Sequence, residues 1–290
     1  MATKKYKIGS LVYEIICPID YEEEEPVSNF LTDEERTDYT VNVELVDELP
    51  QNVEKPIYDT VSKCCTEIGD ELCCYFRDTD SFGKDDKIYA RKKMKYGEKQ
   101  CTISVLKSMQ HKICSRLLII LMSMEELTTE NDCVIFHSSY INLNGKAIIF
   151  TGPCGIGKST QADLWQKYRN TPIINGDKSL LYIENSVAMA GGLPFSGSSE
   201  YCDNLNLPIG AIVKLGKAKK NKANLETGFE AFNTILRSCY PVTYSQNLIN
   251  RQIDFAEKFS EKVPVIHFEC TPDESAVNYL EDKLWQVLNR

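Results

Sequence analysis

Residues 152–160 read Gly152-Pro153-Cys154-Gly155-Ile156-Gly157-Lys158-Ser159-Thr160, which satisfies the pattern G-x-x-x-x-G-K-[ST]. The match follows an apolar run at residues 146–151 and precedes a segment with helical spacing, the strand, loop and helix setting that such a loop requires. Gly152, Gly155 and Gly157 let the backbone curl until its N–H groups point at a common centre, and the start of the helix adds partial positive charge. Phosphate oxygens suit that centre. Lys158 is placed to reach the β and γ phosphates of a nucleotide, and the Ser159 hydroxyl to bind Mg²⁺. The surrounding pattern predicts an α/β fold with α+β character, built as two domains.

The chain has 290 residues, 42% of them apolar, enough for one large or two ordinary cores. Residues 11–17 are apolar but interrupted by Glu14 and too short for a signal core or a membrane span, so a cytoplasmic location and no membrane partner are expected. Twelve cysteines in such a chain read as reduced thiols packed as small hydrophobes. Cys64-Cys65 and Cys73-Cys74 form the one suggestive cluster, but adjacent pairs fit zinc-knuckle spacing poorly.

Charge separates the chain. Residues 1–80 hold 7 Lys/Arg against 20 Asp/Glu, and the remainder 26 against 22. An acidic first segment argues against nucleic acid as a partner, because neutralising phosphates needs a basic face. The run Glu22 to Glu25 reads as a solvated loop.

Residues 7–16, 39–46 and 100–106 are short β-branched runs between polar turns, predicting a mostly antiparallel N-terminal module over residues 1–130. Ile113, Leu117, Leu118, Leu121 and Met124 carry helical spacing, and the polar stretch 128–132 marks a boundary. Residues 133–141 and 146–151 flank Asn144-Gly145, a strong hairpin signal. After the glycine-rich loop the pattern predicts a helix at 158–168, strands near 172–174 and 180–183, a loop at 191–199 and a strand at 211–215. Helices near 228–238 and 245–259 follow, then a buried strand at 263–270. Thr271-Pro272-Asp273-Glu274 predicts a capped terminal helix with proline at its first position. Residues 131–290 thus make the second domain.

A nucleotide-binding loop does not fix a reaction. A mechanical ATPase needs a later apolar strand ending in Asp, and Val265-Ile266-His267-Phe268-Glu269-Cys270 has none. No Asn-Lys-x-Asp guanine motif occurs. Nucleoside monophosphate kinases begin at the loop and clamp two sets of phosphates with several arginines, whereas here 151 residues precede it and only Arg169, Arg237, Arg251 and Arg290 follow. The best acid–base candidate is Asp177, in a turn beyond a strand; its carboxylate suits accepting a proton from a hydroxyl, binding Mg²⁺, or both. Ser196, Gly197, Ser198 and Ser199 read as a lid, substrate loop or plain flexible loop, with Glu200 a further carboxylate. Lys214 to Lys222 reads as a solvated turn, and His111 and His267 as structural.

Hairpin, glycine-rich loop, helix and a strand ending in Asp is the order found in HPr kinase/phosphorylase, whose phosphate-loop domain is shared with phosphoenolpyruvate carboxykinases. This chain resembles that family over about residues 133–215, through His137, residues 152–160 and Asp177. Where the family has His-Gly, this chain has His137-Ser138; where it has two adjacent Asp, this chain has Asp177-Lys178, which leaves the reverse, phosphorylase reaction open. The family signature around a catalytic Glu and Arg is not legible in residues 191–200. The chain looks closer to the HPr-kinase-like proteins of modified-peptide pathways, some of which phosphorylate a peptide serine.

The resemblance implies Asp177 as general base, Lys158 and Ser159 as phosphate and metal ligands, and His137 as a supporting or phosphate contact. The N-terminal module would select the substrate. The expected activity is Mg²⁺-dependent transfer of the γ-phosphate of ATP to a Ser or Thr hydroxyl of a peptide, protein or small molecule. The alternatives are a nucleotide-sensing binding protein without transfer and a nucleoside-monophosphate-type kinase. The acceptor, ATP against GTP, and the oligomeric state stay open.

Overall fold

The structure, a computed structural model, describes residues 1–78, 87–197 and 199–288. It has mixed α/β content in two compact units. The first comprises Met1–Glu130 with Val242–Ile249, and the second Asn131–Pro241 with the chain from Asn250 onward. Residues 242–249 therefore depart from the sequence-based division, which gave everything after residue 130 to the second domain. Val242, Ser245 and Leu248 are buried there, the Tyr244 hydroxyl donates to Glu126 Oε1, and Ser245 Oγ lies 2.7 Å from the Tyr96 hydroxyl. No helix among the described residues is long and apolar enough to cross a membrane.

The first unit is one sheet of β1 (Ala2–Ile8), β2 (Leu11–Cys17), β3 (Tyr39–Val46), β4 (Tyr58–Asp59), β5 (Lys63–Ile68), β6 (Glu71–Arg77), β7 (Ile88–Lys95) and β8 (Gln100–Leu106). Their order is β1-β2-β3-β8-β7-β6-β5-β4, antiparallel except at β2–β3 and β3–β8, which are parallel. The run 7–16, read in sequence as one strand, is broken into a hairpin because Gly9 turns at φ +62°. Helices α1 (Ser115–Met122) and α2 (Met124–Glu130) meet at Ser123, which adopts φ +50°. The polar boundary stretch is thus partly helical, and Thr128, Thr129 and Glu130 are buried.

Strand β7 shows what alternation alone conceals. Ile88, Ala90, Lys92 and Met94 all face inward, so a lysine stands in an apolar row and is fully buried. Its Nζ lies 2.9 Å from Glu126 Oε2, and Lys63 donates to the other carboxylate oxygen. Burial alone would push the Glu126 carboxyl up, yet Lys92 and Lys63 hold it well below the usual carboxylate range. Cys65 and Cys74 are register partners with Sγ atoms 3.3 Å apart, and both lie near Glu126. Cys64 and Cys73 pair with Tyr75 and Thr66 instead, so strand alternation turns them to the opposite face and the four thiols do not converge.

The second unit contains β9 (Val134–Leu143), β10 (Lys146–Thr151), α3 (Lys158–Arg169), β11 (Ile173–Asn175), β12 (Lys178–Glu184), β13 (Val187–Gly191), β14 (Asn206–Lys217), β15 (Lys222–Glu226), α4 (Phe229–Ser238), α5 (Gln246–Ser260), β16 (Val265–Cys270) and α6 (Glu274–Leu288). Helix α5 begins in residues assigned to the first unit. The strand order is β10-β9-β12-β13-β14-β16-β15, with β11 beside β9 and β10 also pairing with β14. The β9–β10 hairpin turns at Asn144 (φ +51°) and Gly145 (φ +82°), the geometry its Asn-Gly pair favours.

Strands β10, β14 and β16 run parallel, which suits their mostly apolar sequence, broken at Lys214, His267 and Glu269. Ala147, Ile149, Ile212 and Val265 pack on one face with Ile235 of α4 and Phe255 and Phe259 of α5. Ile148, Phe150, Val213 and Phe268 pack on the other with Trp165 of α3 and Leu280 of α6. Each buried Val, Leu, Ile or Phe here contributes roughly 1.5–3 kcal/mol. Residues 214–222 prove to be mostly strand, leaving a short turn at 218–221. The terminal helix starts two residues later than its sequence suggests. Asp273 Oδ1, not Thr271, accepts the Ser275 N–H, and Pro272 precedes the cap.

Candidate functional site

β10 ends at Thr151 beside Lys214 of the parallel strand β14, which runs on with β16 to end at Lys217 and Cys270, and the glycine-rich loop leaves the first of them. Crevices at the carboxyl ends of parallel strands are where open α/β sheets bind ligands. Gly152, Gly155 and Gly157 adopt φ of +138°, +72° and +116°, left-handed values that favour glycine. At Gly152 a Cβ would also come within 3.3 Å of Ile156 Cγ2 and 3.4 Å of the Leu215 carbonyl. Gly157 caps α3 with no side-chain acceptor, so no side chain caps the first-turn N–H groups.

Lys158 opens α3 and is buried. Its Nζ folds back over the loop, donating to the carbonyls of Gly152 (3.1 Å) and Pro153 (3.4 Å). Burial holds its pKa below the ordinary lysine value, opposed by Cys154 and Asp177. Ser159 and Thr160 are exposed, and Ser159 Oγ lies 3.5 Å from the Gly176 carbonyl. That contact ties the loop to the turn between β11 and β12, where Asp177 sits.

Asn175 shapes this turn. Fully buried, it accepts the N–H groups of Asp177 (3.0 Å) and Lys178 (2.9 Å) on Oδ1 and donates from Nδ2 to the Phe195 carbonyl (3.2 Å). One carboxamide thus fixes both the turn and the start of the following loop. The Asp177 carboxylate stands 3.7 Å from His137 Nδ1 and 3.8 Å from Lys178 Nζ. His137, on β9, is the register partner of Lys178. Burial pushes the imidazole pKa down and Lys158 adds to this, while Asp177 opposes it. Lys178 Nζ also lies 5.1 Å from the ring centres of Phe195 and Tyr240.

The loop after β13 is pinched at its neck, where Gly192 donates to the Leu205 carbonyl and a Cβ would fall 1.8 Å from the Asp203 oxygen. Its backbone lies against the carboxylate, since a Cβ on Gly197 would stand 2.8 Å from Asp177 Oδ2. Ser199 crowds Gly176 in the same way, since a Cβ on Gly176 would fall 2.1 Å from Ser199 Oγ. Ser196 Oγ is buried without a partner among the described residues, Glu200 is exposed, and Ser198 lies outside the described residues, as does Arg290.

The structure therefore brings together residues 152–160, Asp177 and His137, and sets the serine- and glycine-rich loop beside Asp177. Sequence reasoning passed over Asn175, although an Asn two residues before an Asp in a turn signals a side-chain-to-backbone bond. It also passed over Gln161. That residue, together with Gly155, Ile156, Leu215, Ala218 and Pro272, lines a cavity of about 420 Å³ flanking the loop.

Fold and site together define a mixed α/β protein with a glycine-rich loop at the carboxyl end of a parallel strand. No protein-family model matches the chain, and no curated protein matches it. Among solved structures it is similar to the HPr(Ser) kinase/phosphatase from Coxiella burnetii, at 13% identity and a TM-score of 0.33, over 52% of this chain and 93% of that one.

Proposed function

We propose that this chain is a kinase that transfers the γ-phosphate of ATP to a Ser or Thr hydroxyl of a peptide, protein or small molecule, in the manner of HPr-kinase-like phosphate-loop enzymes. The observation that carries this reading is the convergence of the loop 152–160 with Asp177, linked through the Ser159–Gly176 contact. A sensor needs only the loop. A carboxylate held beside it by a buried carboxamide is what transfer to a hydroxyl additionally requires.

The loop N–H groups and Lys158 would hold the β and γ phosphates, with Lys158 leaving the Gly152 and Pro153 carbonyls to do so. The Ser159 hydroxyl and Asp177 carboxylate are hard oxygen donors, the set Mg²⁺ prefers, and both border one turn. When bound there, Mg²⁺ would supply charge neutralisation for the phosphates. The acceptor oxygen attacks the γ-phosphorus, its proton passes to Asp177, and the bond to the β,γ-bridging oxygen breaks to leave ADP. His137, whose pKa burial and Lys158 hold down against Asp177, would orient the Asp177 carboxylate. Positioning and charge stabilisation account for most of the rate in such transfers.

The test is mass spectrometry of host peptide fractions and small hydroxy acids after incubation with the protein and Mg-ATP. Phosphate on a Ser, Thr or hydroxy-acid hydroxyl is the expected result; nucleotide binding with no phosphorylated acceptor would favour the sensor.

A further inference from the structure

Lys178 follows Asp177 directly and opens β12. Its side chain is 20% exposed and that of Asp177 25%, so both are largely withdrawn from water yet reachable from it. The ammonium lies 5.1 Å from the ring centres of Phe195, in the loop after β13, and of Tyr240, which follows α4. Ring faces attract a cation but offer it no lone pair. Asp177 Oδ2, at 3.8 Å, is beyond hydrogen-bond distance. Among the described residues, therefore, no oxygen accepts from the three N–H donors of Lys178. A half-withdrawn cation with its donors unmet is set to take an anionic oxygen from outside the chain.

The surroundings limit what can bring that oxygen. A Cβ on Gly197 would stand 2.8 Å from Asp177 Oδ2, so the loop backbone lies against the same carboxylate oxygen that Lys178 approaches. Only a slim molecule reaches that oxygen past the loop. Lys178 brings one positive charge, which matches one carboxylate. When a hydroxyl bonds to Asp177 and a carboxylate to Lys178 side by side, the two groups stand about as far apart as their protein partners. That is the span of a hydroxyl one or two carbons from a carboxylate.

We infer that Lys178 determines acceptor specificity and that the acceptor is a small 2- or 3-hydroxy acid, its carboxylate held by Lys178 Nζ while its hydroxyl meets Asp177. This deepens the kinase reading and rests on it. The carboxylate is bound and does not react. The hydroxyl oxygen attacks the γ-phosphorus, its proton passes to Asp177, and the bond to the β,γ-bridging oxygen breaks to leave ADP.

The test is transfer of γ-labelled phosphate from Mg-ATP to glycolate, lactate, glycerate, serine and threonine, each beside its carboxamide, by wild type and Lys178→Gln. Glycerol 3-phosphate and host peptide fractions are run alongside, and calorimetric Mg-ATP binding reports whether each protein is folded. Wild type is expected to use at least one acid with kcat/KM at least about tenfold above that of its carboxamide, the worth of one hydrogen bond to a charged group. Lys178→Gln is expected to erase that ratio. Equal use of acid and carboxamide by wild type, or label confined to peptides or to glycerol 3-phosphate, would overturn the hydroxy-acid site while leaving the kinase reading intact. So would an equal loss on acid and carboxamide in Lys178→Gln, which would place Lys178 on the transferred phosphate instead. No label on any acceptor would overturn both.

Discussion

Replacing Asn175 by Ala separates nucleotide binding from transfer. The side chain makes three hydrogen bonds, two from the N–H groups of Asp177 and Lys178 and one to the Phe195 carbonyl, and it is fully buried. At a net ~1 kcal/mol each, their loss weakens the Asp177 turn by about 3 kcal/mol. If that whole difference falls on the population of the productive turn, kcat drops about 100-fold. The loop 152–157 keeps its own glycine geometry, so the Kd for Mg-ATP should change less than about threefold. Asn175→Asp keeps an acceptor for both N–H groups but buries a charge and sets an oxygen against the Phe195 carbonyl, so it should not restore kcat. The assays are single-turnover transfer from γ-labelled ATP, calorimetric ATP binding and thermal unfolding. Wild-type kcat in a folded Asn175→Ala protein would refute the reasoning, as would loss of ATP affinity in step with kcat.

Two further perturbations probe each unit by itself. Glu126→Gln removes the carboxylate between buried Lys92 and Lys63, and urea unfolding should show a loss of about 3–5 kcal/mol. Because the folded-state pKa of Glu126 is depressed, its stabilisation is fully present above the ordinary value of about 4.3 and is lost as pH falls from there through the folded value; the variant should lack this acid limb. Cys154 is the one exposed thiol among the described cysteines and lies within the loop. Saturating Mg-ATP should slow its alkylation at least about tenfold by mass spectrometry, while tripolyphosphate should protect it as well.

Much of the second unit is legible because its signals are local. Asn144-Gly145 marks a hairpin, the spacing of Gly152, Gly155 and Gly157 marks the loop, and Trp165 falls on the buried face of α3 as its period requires. The first unit is harder to read. Strands β5 and β6 carry cysteines and β7 carries lysines, residues without strong strand preference, and only the pairing with Glu126, more than thirty residues distant, allows Lys92 an inward position. Residues 242–249 join the first unit through Tyr244 and Ser245, contacts over more than a hundred residues that no local pattern encodes. At the site, Asp177 is visible as a turn residue after a strand. The closeness of Gly197 to its carboxylate depends on where a later loop returns, and that is set by packing.

The central claim is that Asp177 takes the proton of a hydroxyl acceptor beside a nucleotide held by residues 152–160. Its most direct test is transfer of γ-labelled phosphate from Mg-ATP to small hydroxy acids and host peptide fractions by wild type and Asp177→Asn, with ATP binding measured on both. Label on an acceptor with wild type alone, and ATP bound by both proteins, is the expected result. Equal labelling by the two proteins, or ATP binding with no transfer by either, would contradict it.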